Sequence, residues 1–165
     1  MTKKERDILV ENLLALLTGE HSRTSFEDVV ADFPMDRINE KMPNSDRTPW
    51  DLLEHIRIGQ WDILDYMRNP EYKYMNWPQD YWPPKGKKAT KADWAKSVRD
   101  FQRDFQAVQD IIKDPGTDFY KDIPWGEGET ILREVVTLAN HNGFHLGEFA
   151  ITRQAMGTWG KGHRG

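Results

Sequence analysis

Between Thr90 and Pro115 apolar side chains recur every third or fourth residue: Trp94, Val98, Phe101, Phe105, Val108 and Ile112. That period belongs to a helix with one buried stripe. Thr90-Lys91-Ala92-Asp93 supplies its start and Asp114-Pro115-Gly116 its stop. The same reading predicts three more long helices. Lys3 to Leu17 places Ile8, Leu9, Leu13, Leu16 and Leu17 at helical spacing, and Gly19 ends or bends the run. Thr48-Pro49-Trp50-Asp51 combines a capping hydroxyl, a first-turn proline and an acid that suits the helix dipole, so a helix runs from there to Arg68. The last runs from Thr130 to Met156, with Gly157 as C-cap. A shorter piece begins at the capping box Ser25-Phe26-Glu27-Asp28, with Pro34 as its stop, and residues 39–47 read as loop. There is no repeat, no sustained heptad and no alternating strand. The expected fold is all-α, a four-helix bundle with two long crossover connections, as a single domain across 1–165.

Those connections are aromatic. Residues 70–89 hold Tyr72, Tyr74, Trp77, Tyr81 and Trp82 among prolines, and residues 117–129 hold Phe119, Tyr120 and Trp125. Loops of this length are functional or disordered, and this aromatic content argues for order. The first is expected to roof a pocket or simply to cap one end of the bundle.

The 165 residues carry a net charge of −4, with basic and acidic side chains interspersed. Without a basic stripe, nucleic acid is excluded as an expected partner. The chain has no cysteine, which removes disulfides, thiolate metal sites and a cysteine nucleophile. It has no apolar run of membrane-spanning length, and Met1-Thr2-Lys3-Lys4-Glu5-Arg6-Asp7 does not read as a signal peptide. A cytoplasmic protein with no membrane partner is expected.

Chemistry enters with histidine. His141 and His145 stand one turn apart on the last helix and point the same way. On that helix Glu134, Thr137 and Glu148 fall within about 40° of His141, forming a narrow polar stripe. Val135, Leu138, Phe144, Phe149 and Ile151 flank it, so the helix is expected to be buried on most sides. On the helix after Thr48, His55 shares a face with Asp51, Gly59, Asp62 and Tyr66. If the two faces meet, three imidazoles converge on one divalent ion with coordination positions left open. The plainer alternative is three histidines that never meet. Asp51 is either a helix-start acid or the acceptor that fixes the His55 tautomer. Gly143 and Gly147, also one turn apart, are expected to allow close helix packing. His-Asn-Gly-Phe-His lacks the glutamate of the metalloprotease motif, so proteolysis is not supported. His21 and His163 read as exposed, and residues 158–165 as a fraying tail.

Leu52-Leu53-Glu54-His55 and His141-Asn142-Gly143-Phe144-His145-Leu146-Gly147-Glu148, followed by Arg153-Gln154-Ala155-Met156-Gly157, resemble the DinB/YfiT-like superfamily of metalloproteins over nearly the whole chain. The resemblance implies up-down-down-up topology. It implies a nickel or zinc ion held by His55, His141 and His145, and a homodimer. Some members of that superfamily are transferases or isomerases that use a low-molecular-weight thiol. Many have histidine before the last ligand and glutamine three residues after it, where this chain has Phe144 and Glu148. Glu148 would then either add to the metal site or face another polar neighbour.

A divalent metal on three neutral imidazoles would activate water for hydrolysis of a small-molecule substrate, or a thiol cosubstrate for transfer. The competing expectation is a non-catalytic metal or small-ligand binding module, or a stress-related interaction module.

Overall fold

The computed structural model describes residues 1–20 and 24–159. They form five α-helices: α1 (Lys3–Thr18), α2 (Phe26–Val30), α3 (Pro49–Arg68), α4 (Lys91–Lys113) and α5 (Ile131–Ala155), with one 3-10 turn at Gln79–Tyr81. Among the described residues the only strand-like pairing is an isolated bridge, Asp122 to Thr130. No described helix is long and apolar enough to cross a membrane.

The helices begin where their caps dictate. Thr2, Ser25, Thr48 and Thr90 each accept a hydrogen bond from the backbone three residues on, and the acid at that third position bonds back. Asp51 is the returning acid of α3, which settles its role as a helix-start residue. Gly19 and Gly157 close α1 and α5 at φ 69° and 62°, a region that side-chain-bearing residues enter only at a cost.

The four long helices close on one another, α3 packing against α4 and α5, and α1 against α5 and α4. His55 faces His145 and Gln60 bonds Asn142, so α3 and α5 run in opposite directions. The apolar interior has two lobes. One gathers Phe26, Trp50, Ile56, Trp94, Phe101 and Phe149. The other gathers Leu13, Leu64, Val108, Phe119, Val135 and Leu138. Between them each inner helix turns polar: Gln60 on α3, Asp104 on α4 and Asn142 on α5, all buried. The Gln60 amide donates to the Phe101 carbonyl at 2.7 Å and accepts from Asn142 at 3.0 Å. These bonds satisfy groups whose burial would otherwise cost a few kcal/mol each.

Several expectations change. Helix α2 stops at Val30, ahead of Pro34. At that end sits Arg153, 1% exposed, whose guanidinium donates to the carbonyls of Val29 and Ala31 at 3.1 and 2.6 Å and to that of Thr158 at 2.7 Å. One buried cation thus caps α2 and pins the chain after α5. Thr158 is therefore buried and Trp159 packs on the first lobe, so neither frays; residues 160–165, with His163, and His21 lie outside the described residues. Helix α5 is not enclosed on most sides, since Phe144 and Ile151 are 70% and 66% exposed. Gly143 and Gly147 face open space with no neighbour within 4 Å of an added Cβ, so among the described residues they mediate no packing.

Arg153→Met should lower stability by about 3 kcal/mol, because it leaves several carbonyls without a donor in a dry setting. Urea unfolding should show a lower midpoint at unchanged slope.

Candidate metal centre

Helix α3 delivers His55 in its second turn, and α5 delivers His141 and His145 from its middle. The three histidines meet, each offering a ring nitrogen within 4.8 Å of the others. The Nε2 atoms of His55 and His145 are 3.1 Å apart, as for two ligands sharing one ion at about 2.1 Å. Among the described residues this is the one group of three or more histidines and carboxylates with such convergence.

The outward nitrogens are committed. His55 Nδ1 donates to the Tyr81 carbonyl at 2.8 Å, and His145 Nδ1 donates to Glu148 Oε2 at 2.8 Å. His141 Nδ1 lies 3.2 Å from Asn142 Oδ1. With protons placed there, His55 and His145 turn Nε2 lone pairs toward one another, and His141 brings a ring nitrogen to the same place. That donor set suits a borderline divalent ion, and acceptors behind ligand rings are the usual means of fixing the tautomer. Burial supports the neutral form. It pushes His141 down to about 4, and it lowers His55 too, helped by the neighbouring His145.

The surroundings hold the rings still. Trp82 lies flat on His55, with centroids 4.0 Å apart and planes 4° apart, and the Arg47 guanidinium sits 3.8 Å from the Trp82 ring centre. The aromatic connection thus both stacks on His55 and supplies its Tyr81 acceptor. Glycine at position 59 makes room for the His141 ring where it stands. A Cβ there would meet His141 Cε1 at 2.7 Å and Nε2 at 2.9 Å. The ring occupies the space a side chain would take.

The stripe around His141 divides. Glu134 is buried, Thr137 is exposed and Glu148 reaches the His145 ring. Helical spacing made the histidines visible. The backing by Tyr81, the Trp82 stack and the Gly59 contact had no such signal, since two come from a loop and the third is an absent side chain.

The DinB superfamily model matches residues 18–149, a span that takes in all three histidines and Glu148. The chain belongs to the DinB superfamily. No curated protein and no solved structure matches it. Membership in the DinB superfamily agrees with the all-α architecture and with a histidine cluster of a kind that accepts a metal.

Gly59→Ala should leave stability within about 1 kcal/mol, because alanine favours the helix and only a side-chain ring must yield. The His141 imidazole should nonetheless move. A melting curve paired with imidazole NMR resonances checks both outcomes.

Proposed function

We propose that His55, His141 and His145 hold one divalent ion, zinc or nickel, through Nε2. We further propose that this single cytoplasmic domain uses it as a hydrolase or a thiol transferase on a small molecule. The observation that carries the reading is the pair of Nε2 lone pairs 3.1 Å apart with both Nδ1 atoms already donating.

The ion would supply a Lewis acid that acidifies a water or thiol sharing its coordination sphere. The remaining work falls to the chain. Tyr81 and Glu148 hold the ligand rings, and the Glu148 carboxylate raises the donor strength of His145. Glu148 is 42% exposed at its side chain, so it also stands where a departing proton can be taken up. Trp82 shields one face of His55 from water. A groove of about 480 Å³ beside Glu148, walled by Met42, Phe144, Ile151 and Thr152, would take the apolar part of a substrate. Because the chain has no cysteine, the thiol of a transfer reaction would come from a small cosubstrate.

Homodimerisation belongs to the same proposal. Val136, Phe144 and Ile151 are exposed along α5, with Leu16 of α1 exposed beside a groove that α5 also lines. Gly143 and Gly147 offer a partner helix a close approach. A second copy there would wall the groove next to Glu148.

The second reading, a non-catalytic metal carrier or interaction module, draws on how closely His55 is covered: it is 3% exposed beneath Trp82.

Calorimetric titration with zinc or nickel should give one ion per chain, and alanine at His55, His141 or His145 should abolish it. Glu148→Gln should weaken binding by about 10- to 100-fold while keeping the stoichiometry. Metal-loaded protein should turn over electrophiles or hydrolysable esters in a panel with and without thiols, and EDTA should stop it. Binding without turnover in any arm would favour the carrier. Light scattering should show a dimer that Phe144→Asp converts to monomer; a monomeric parent chain would contradict the dimer.

A further inference from the structure

The seam between α3 and α5 opens again beyond the histidines, into a cavity of about 210 Å³. Asp62, Tyr66, Tyr72, Tyr74, Glu129 and Glu134 line it. Asp62 follows His55 by seven residues and Glu134 precedes His141 by seven, so the cavity lies about 10 Å along the seam from the histidines.

Its walls are three tyrosine rings in mutual contact. Tyr66 and Tyr72 meet edge to face at 4.9 Å, Tyr72 and Tyr74 do so at 5.2 Å, and Tyr66 and Tyr74 stand 6.2 Å apart. Two of its carboxylates are engaged. Asp62 accepts from the hydroxyls of Tyr72 and Tyr81 at 2.8 and 2.6 Å, and Glu129 accepts from Tyr66 at 2.6 Å. Glu134 is different. It is 8% exposed, lines the cavity, and its carboxylate accepts no hydrogen bond among the described residues. Arg133, the one cation lining the cavity among the described residues, bonds Glu129 at 2.6 Å and stays 3.9 Å from Glu134.

Three carboxylates against one guanidinium give the cavity an excess of negative charge. A buried carboxylate without a donor gains most from a ligand that brings one. Tyrosine walls favour a cation over a neutral polar group. The carboxylates do not converge as the histidines do, so the arrangement does not suit a bare metal ion. We propose that this cavity binds a primary alkylammonium group, with Glu134 as the hydrogen-bond acceptor and the tyrosine rings as its wall. The site stands apart from the histidine cluster and needs no ion there. Tyr81 touches both, because its hydroxyl bonds Asp62 and its carbonyl holds His55.

The test is NMR titration of the full chain in EDTA with n-butylammonium, and with 1-butanol as the neutral counterpart. EDTA removes any contribution from amine–metal bonding. Saturable binding of the ammonium is expected, with shifts confined to the residues named, and the alcohol binding at least about tenfold more weakly. Glu134→Gln should weaken the ammonium by about tenfold at undiminished thermal stability, since the carboxylate it removes accepts no hydrogen bond and has only the distant Arg133 as a counter-charge. Tyr74→Ala changes a 65%-exposed ring, keeps the fold, and should weaken binding by about threefold. Equal affinity for ammonium and alcohol, no saturation, or unchanged affinity in both variants would overturn the proposal.

Discussion

Two imidazole nitrogens 3.1 Å apart, each on a ring whose other nitrogen already donates, put lone pair against lone pair. A positive charge between them relieves that opposition, as a shared proton or as a metal ion. The third ring, His141, brings another lone pair to the same place and is held neutral by burial. A proton bridges only two nitrogens, whereas a divalent ion serves three. The rest of the interior is arranged so that this convergence survives: glycine at 59 gives His141 its space, and Trp82 clamps His55 from the side that α5 does not cover.

Such a centre needs a rigid frame, and the frame is unusual in being polar at mid-height. The apolar lobes lock the ends of α3, α4 and α5. The buried Gln60–Asn142 pair between them fixes the register in which α3 and α5 face one another. A slip of one helical turn would strand both amides and separate His55 from His145 together. At the far end of the bundle Arg153 does similar work, binding α2 and Thr158 to α5 through their carbonyls. Polar groups thus set the geometry and apolar burial supplies the stabilisation, which is the division expected when specificity matters more than bulk packing.

The legible part of this design was periodic. Capping hydroxyls and the three-to-four spacing of Trp94 through Ile112 placed α4 between its start and stop motifs, and the four-residue step from His141 to His145 announced a shared face. Those signals are local and repeat along the chain. The unreadable part lay in contacts that cross it. Nothing near Arg153 marks it as buried, because apart from Thr158 its partners stand more than a hundred residues earlier, at the end of α2. Nothing near Tyr81 marks its carbonyl as the acceptor for His55. Phe144 and Ile151 read as core because they are apolar, yet they are exposed on a face the fold of one chain does not cover. Gly143 and Gly147 misled in the same way: small residues on a helix invite a neighbour, and among the described residues none comes.

X-ray absorption at the metal edge of zinc-loaded, untagged protein tests the centre most directly. Three imidazole nitrogens at about 2.1 Å are predicted, with oxygen donors completing the shell. A spectrum with one imidazole or none, on protein whose fold is intact, would contradict the account.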